Sequence, residues 1–330
     1  MKNKNQITAL ALFSGGLDSI LAMKLIQKQR IKVIPICFES PFFGSGKARY
    51  IAKKLGMKLK IIQLKDDYLE MVRNPKFGYG KNLNPCIDCH AFMFHKLGSM
   101  LKRMKADFLI SGEVLGQRPK SQTKVALATV SKNCDYKDLI VRPLSQKLLP
   151  DTKPILEGWV DKEMLEDIQG RTRTRQMELV KEFEIVDYPS PAGGCLLTEK
   201  RICTRLQDLM DRKMYFYNFV NLLRYGRHFR LNNNTKLILG RHKKDNENLQ
   251  KFTVGNMLHL HAVDFPGPYG VLNFLEIPQK ETLILSAKIL LRYIANIQSV
   301  AKVSIRSATG NEQIVEVEPF AQGEEQGYLI

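Results

Sequence analysis

Short, nearly continuous apolar runs punctuate the first half of the chain at Ile7 to Phe13, Lys32 to Phe38, Leu59 to Leu64, Asp107 to Ser111 and Asp138 to Val141. Runs of this kind read as strands covered on both faces. Between them, apolar residues recur at helical spacing near 18–29, 46–55 and 90–104. The alternation predicts an α/β fold with a doubly wound parallel sheet. Right-handed crossovers in such a sheet bring the carboxyl ends of its strands to one crevice. The turn after the first strand, Cys37-Phe38-Glu39 and Ser111-Gly112-Glu113 should all lie there.

The pattern changes further along. Lys147 and Pro150 to Pro154 read as a linker-like turn, and Trp159 to Ile168 has helical spacing. Lys200 to Tyr225 is basic and helical in pattern, with Tyr215, Phe216, Tyr217 and Phe219 interleaved. From Gly226 to Leu231 and from Lys236 to Asn246 apolar and basic residues alternate as in strands. A helix is expected over Glu281 to Ile294, and strands over Lys302 to Ile305 and Gln313 to Glu318. The expected organisation is an α/β domain at 1–200, a basic helical connector at 201–219 and a smaller α+β domain at 220–330.

The charge narrows the partners. The 330 residues carry 51 Lys and Arg against 33 Asp and Glu, a formal charge of +18, which favours a polyanion such as nucleic acid. The dense run Arg171-Thr172-Arg173-Thr174-Arg175 is a candidate contact to a phosphate backbone. No apolar run reaches bilayer length and the start does not read as a signal peptide, so the expected setting is the cytoplasm, without a membrane. Six cysteines in such a setting point to reactive or metal-binding thiols more than to a disulfide scaffold.

The stretch with the sharpest chemistry is Phe13-Ser14-Gly15-Gly16-Leu17-Asp18-Ser19. It reads as strand, glycine turn and helix start, where adjacent glycines admit a ligand close to the backbone and the helix N-terminus favours an anion. Asp18 either caps the helix or holds Mg²⁺ beside a bound polyphosphate. No Lys follows the glycines, which excludes the Walker pattern. Ser14 to Ser19 resembles the signature of the PP-loop ATP pyrophosphatase superfamily, whose members activate a carbonyl or carboxylate oxygen with AMP and release pyrophosphate. The resemblance implies that ATP binds at Ser14, Gly15, Gly16, Asp18 and Ser19, with Phe38 and Gly112 lining the pocket.

Two further strings sharpen it. Gly112-Glu113-Val114-Leu115-Gly116-Gln117 with Ser121-Gln122-Thr123 is similar to the loop that closes over the nucleotide in tRNA 4-thiouridine synthases, which implies a place for Gln117 there. Lys120 departs from that family's small residue. No THUMP-like segment stands ahead of the glycine turn, so the expectation is that the carboxy-terminal part supplies much of the grip on tRNA.

Asn84-Pro85-Cys86-Ile87-Asp88-Cys89-His90 precedes a helical segment, a setting that stabilises a thiolate and makes Cys86 a reactive or metal-binding thiol. It resembles the Asn-Pro-Cys-x-x-Cys of tRNA 2-thiouridylases, and Cys195 in Ser190-Pro191-Ala192-Gly193-Gly194-Cys195 matches the place of their second cysteine. Three chemistries are open for Cys86, Cys89 and Cys195. They are a persulfide on Cys195 resolved by Cys86, a [4Fe-4S] cluster held by all three thiols as in cluster-dependent thiouridylases, and a structural Zn²⁺ completed by His90 or His95. The presence of Cys89 favours the cluster, since two thiols suffice for the persulfide route. Cys134 and Cys203 are expected to be bystanders, and Cys37, at a strand end, to pack beside the adenine.

In the carboxy-terminal third, Gly240-Arg241, His261 and Pro266-Gly267-Pro268 fall in the order of the RNA-binding module of NFACT-type proteins, which 220–330 resembles. Together these resemblances imply an ATP- and Mg²⁺-dependent tRNA sulfurtransferase supplied by sulfide or a persulfide carrier, with Cys86, Cys195 and Asp18 as catalytic residues. A PP-loop amidotransferase or lysidine synthase would use the same activation with nitrogen, and a nucleotide-sensing RNA- or ribosome-binding protein would not turn over.

Overall fold

The computed structural model of the protein describes residues 7–188, 194–252, 254–295, 297 and 299–330. The chain divides into two compact units, Met1–Cys195 and Leu196–Ile330, each with its own apolar core.

The first unit is built on strands β1 (Thr8–Leu12), β2 (Lys32–Glu39), β3 (Lys60–Gln63), β4 (Phe108–Ser111) and β5 (Ile140–Val141) in the order β3-β2-β1-β4-β5, all parallel. Its helices are α1 (Leu17–Lys28), α2 (Gly46–Lys54), α3 (Asp66–Arg73), α4 (Cys86–Gly98), α5 (Leu101–Met104), α6 (Lys124–Lys132), α7 (Lys153–Leu156) and α8 (Thr174–Glu182). Every residue of β4 and all but the last of β1 are buried, as two-sided coverage requires. The chain passes from the β2 side to the β4 side at β1, which makes the gap beyond Leu12 and its register partner Ser111 the switch point of the sheet.

Some local expectations change. The third expected helix starts at Cys86, with Pro85 as its N-cap, and breaks at Ser99 and Met100 before α5. Both cysteines of the motif therefore sit in its first turn. Trp159 to Ile168 is not an α-helix. Past Gly158, at φ 66°, it holds one 3-10 turn at Lys162–Met164 and then runs beside the chain after β5, with Glu166 N–H donating to Pro143 O at 2.9 Å and Ile168 N–H to Leu144 O at 2.8 Å. Its apolar residues face the core from that strap, so their spacing imitates a helix.

The second unit holds α9 (Lys200–Asp211), α10 (Tyr217–Asn221), β6 (Arg227–Asn232), β7 (Thr235–Leu239), α11 (Lys243–Leu249), β8 (Met257–Ala262), β9 (Gly270–Phe274), α12 (Lys280–Arg292), β10 (Ala301–Ser307) and β11 (Glu312–Val317). The six strands pair antiparallel in the order β11-β10-β8-β9-β7-β6, and α12 shares their core. The stretch 201–219 lies inside this unit. Arg205 donates to Leu223 O at 2.9 Å and Gly226 O at 3.1 Å, and Asp208 pairs with Arg230 at 2.6 Å and Lys236 at 2.9 Å. Burial of Lys236 pushes its ammonium down to about 8 despite Asp208, so α9 is clamped to the sheet through a desolvated ion cluster. The alternation expected through Asn246 ends at Leu239, where His242 caps α11 by accepting the Asp245 N–H at 3.2 Å. Among the described residues no helix is long and apolar enough to cross a membrane.

Candidate active site

Beyond β1 the backbone turns through Gly15, whose φ is 74° and where a Cβ would fall 2.8 Å from the Ala48 Cα, leaving no room for a side chain. Gly16 is the N-cap of α1, and no side chain caps that terminus. Ser14 Oγ accepts from Gly16 N–H at 3.3 Å, while Ser19 donates its hydroxyl to Gly16 O at 2.7 Å. The result is a narrow backbone cradle at a helix start, the arrangement that receives phosphate.

Asp18 closes one side of the cradle. Its carboxyl is raised above the ordinary range by burial, against the opposing pull of Arg173, whose guanidinium lies 3.9 Å away. The Gln117 and Gln176 amides face it closely enough to favour the carboxylate, yet no hydrogen bond of normal geometry forms. Asp18 Oδ1, Gln117 Nε2 and both amide atoms of Gln176 are buried without a partner. A buried group of unpaired polar atoms around a carboxylate is costly unless a ligand completes it, and a phosphate-bound Mg²⁺ fits that need.

The loop carrying Gln117 is held by main-chain bonds. Gly116 N–H donates to Gln122 O at 2.6 Å, Gly170 N–H to Leu115 O at 2.7 Å, and Thr123 caps α6 by accepting from Ala126 N–H at 3.1 Å. Ser145 Oγ accepts from Leu115 N–H at 2.9 Å and donates to Ile168 O at 2.6 Å, joining this loop to the strap that leads into α8. This delivers Arg173 and Gln176 to Asp18, two residues that sequence reading did not assign to the cradle. Within the basic run, Arg175 is engaged by Glu166 at 2.8 Å and Glu178 at 3.0 Å, and Arg173 faces Asp18, so these two side chains are not a free phosphate-backbone surface.

Phe38 lies buried near the carboxyl end of β2, and Gly112 directly follows β4. A Cβ on Gly112 would fall 2.5 Å from the Asp18 carbonyl carbon. The next residue, Glu113, is 5% exposed and meets His90 Nδ1 at 2.6 Å and Arg142 Nε at 2.8 Å. Burial pushes its carboxyl up, but Arg142 and His90 overcome that and hold it at about 2. His90 is thus fixed through Nδ1 by Glu113, and His95 leans through Nδ1 on Asp135 at 3.1 Å.

Cys86 and Cys89 occupy the start of α4. Asn84 donates to Cys86 Sγ at 3.2 Å, and the Tyr68 hydroxyl lies 3.2 Å from Cys89 Sγ. The Cys89 thiol is pushed up to about 12, first by burial and then by the nearby Cys195, Cys86 and Asp88. Cys195 and Cys86 therefore both sit within electrostatic reach of Cys89. Among the described residues, no three His, Cys, Asp or Glu side chains are gathered closely enough to ligate a metal as they stand. The run Ser190 to Gly193 ahead of Cys195 lies outside the described residues. Cys37, pushed up to about 11 by burial, Cys134 and Cys203 are buried.

Residues 4–147 match the family described as thiamine biosynthesis protein (ThiI), and residues 226–329 match the NFACT protein RNA binding domain. The first unit is ThiI-like and the second NFACT-R-like. The chain is 28% identical over 185 residues to a probable tRNA sulfurtransferase of Thermococcus kodakarensis, covering 54% of this chain and 44% of that protein. It is 31% identical over 126 residues to the tRNA-specific 2-thiouridylase MnmA of Syntrophotalea carbinolica, covering 34% of this chain and 36% of that one. It thus spans less than half the length of either relative. A looser likeness, at TM-score 0.31 and 17% identity over 66% of this chain and 70% of the other, is to the U34-tRNA thiolase NcsA from Methanococcus maripaludis with its [4Fe-4S] cluster. The ThiI-like match ends before α8 and Cys195, so Arg173, Gln176 and the third thiol stand outside it.

Proposed function

We propose that the protein is an ATP-dependent tRNA sulfurtransferase that adenylates a uridine carbonyl oxygen and replaces that oxygen with sulfur. The observation that supports this most is a continuous run of contacts within one unit. The cradle residue Asp18 packs on Gly112, Glu113 follows Gly112 and holds His90, and His90 follows Cys89, which feels both Cys86 and Cys195. In this reading nucleotide activation and sulfur delivery meet beyond the carboxyl ends of β1 and β4.

In this reading Ser14, Gly15, Gly16 and Ser19 hold the phosphates, Asp18 takes Mg²⁺, and Arg173 offsets charge as pyrophosphate leaves. Phe38 and Gly112 border the nucleotide, and Gln117 sits in the loop beside its reacting end. Transfer of AMP to the uridine oxygen turns a poor leaving group into a good one. On the persulfide route a carrier's persulfide passes its outer sulfur to Cys195, and that sulfur attacks the carbon as the C–O bond to AMP breaks. The Cys86 thiolate then attacks Cys195 Sγ, breaking the S–S bond to release the thiolated base and leaving a Cys86–Cys195 disulfide for a thiol reductant to reopen. Sulfide, already at the required oxidation level, would serve only the cluster route. A [4Fe-4S] cluster would be held by Cys86, Cys89 and Cys195 and would supply a place to carry sulfide to the activated carbon. The second unit brings the RNA, and free thiols suit a cytoplasmic setting.

Nitrogen transfer on the same cradle gives the three thiols no task. Mass spectrometry of tRNA nucleosides from a deletion strain tests the proposal. Loss of one thiolated nucleoside, restored by the intact gene, is the expected result, and an unchanged thionucleoside profile rejects it.

A further inference from the structure

The second unit contains a cavity of about 430 Å³, within the range of roughly 300–1,000 Å³ typical of small-ligand sites. It opens on the sheet face opposite the apolar core. Leu260 and Ala262 of β8 and Val303 and Ile305 of β10 point into that core. The alternate positions His259, His261 and Arg306 line the cavity, with Arg306 directly across the ladder from His259. Phe265 and Tyr269, from the loop between β8 and β9, complete its wall. That loop is pinned to α11 by Asn246, which donates to Gly267 O at 3.2 Å and accepts from Tyr269 N–H at 3.0 Å.

The lining has three parts. His261 and Tyr269 are nearly parallel, with 11° between planes and centroids 6.4 Å apart, and Phe265 is 40% exposed beside them. Such flat faces accept a planar ring. His259 is 5% exposed, yet neither ring nitrogen makes a hydrogen bond of normal geometry, although the Phe252 backbone lies near. Burial and Arg306 hold the imidazole below its usual range, so it is neutral and offers one donor and one acceptor to the cavity. Finally, Arg306 sits at the mouth with only a loose contact to Glu312 at 3.4 Å, a surface pair weak enough to be shared with a phosphate.

A flat platform, an edge-reading polar group and a guanidinium at the rim match one chemical unit, a nucleobase with its phosphate. We propose that this cavity seats a single unstacked nucleotide of a single-stranded RNA segment, its base on Tyr269 and His261, its edge toward His259 and its phosphate at Arg306. The proposal rests on the reading of the second unit as RNA-binding and adds where and in what form the strand is gripped. Recognition by stacking of splayed bases favours loops and ends over duplex.

The test uses the full-length protein and fluorescence anisotropy with a short single-stranded RNA, a duplex of the same sequence, and free AMP as competitor. Phe265→Ala and Arg306→Gln change exposed residues, and His261→Ala removes part of the platform. Expected are preference for the single strand and a loss of about tenfold or more for His261→Ala, the order of one stacked base. Arg306→Gln should also weaken binding and flatten its salt dependence. Photocrosslinking of a 5-iodouridine strand should map to Tyr269 or Phe265. RNA binding by the wild type with all three variants unchanged overturns this pocket while leaving the RNA-binding reading in place. Absence of RNA binding by the wild type overturns both. AMP binding that is lost in His261→Ala, with no binding of the strand, overturns the RNA source, whereas AMP held at the cradle of the first unit is unaffected by that variant.

Discussion

The backbone of Gly112 passes so close to Asp18 that a methyl group there would stand 2.5 Å from the Asp18 carbonyl carbon. The obstructing atoms are backbone at the start of α1, which cannot rotate aside. Gly112→Ala must therefore push β4 and the nucleotide cradle apart. The expected outcome is a loss of about 1–3 kcal/mol of stability, the usual cost of overpacking, and at least tenfold weaker ATP binding. Calorimetric titration with a non-hydrolysable ATP analogue and a denaturant melt check it; unchanged affinity would mean that the two loops do not jointly shape the site.

Asp18 illustrates a site held at a cost. Its carboxyl is raised by burial, with Arg173 only partly compensating, so ionisation is less favourable folded than unfolded. A raised carboxylate pKa means that the native state loses stability as pH climbs through the window between the unfolded and folded values. Asp18→Asn removes that penalty and should make the ligand-free protein more stable at neutral pH. It should also abolish Mg²⁺-dependent pyrophosphate release. Melting temperature and pyrophosphate assays on the same preparation separate the two, and a variant less stable than wild type with normal turnover would refute both roles.

How much of this was legible beforehand depended on distance along the chain. Ser14 to Ser19 and the Cys86 and Cys89 pair are local strings whose turn and helix-start chemistry can be read without knowing the fold, whereas Gln117 entered only through a resemblance. The five parallel strands followed from apolar runs alone. Arg173 and Gln176 could not be read in this way, because they reach Asp18 only after the strap at 166–170 is tied to residues 143–145 and 115. The same strap misled the helical reading of Trp159 to Ile168, whose periodicity reports burial on one side and not the backbone that achieves it. Glu113 stood in a quoted motif, yet its bonds to His90 and Arg142 join residues more than twenty positions away on different elements.

The Glu113 cluster makes a pH-specific prediction. With its carboxyl held at about 2 against an unfolded value of 4.5, it contributes stability above the unfolded value and loses that contribution as pH falls toward 2. Wild-type protein should lose stability through that acid window. Glu113→Gln leaves the buried Arg142 guanidinium without its counter-charge, and removing one partner of a buried pair costs about 3–5 kcal/mol. The variant should therefore be less stable at neutral pH and show a flatter decline below pH 4.5. Parallel melts across pH 2–7 would show it; matching pH profiles would place the stabilisation elsewhere.

Cys89 separates the sulfur chemistries. Its thiol, pushed up to about 12 by burial and by Cys195 and Cys86, is protonated at neutral pH and a poor nucleophile unless something positive displaces the proton. A persulfide relay between Cys195 and Cys86 leaves Cys89 in its half-buried, tyrosine-bonded place and makes no use of it. A cluster requires its thiolate. Cys89→Ser should then remove iron and the broad absorption near 400 nm from anaerobically purified protein and abolish thiolation, while pyrophosphate release on adding ATP and RNA persists. Retained thiolation in the serine variant would discard the cluster and leave the persulfide route, because only the first of these chemistries needs all three sulfurs at once.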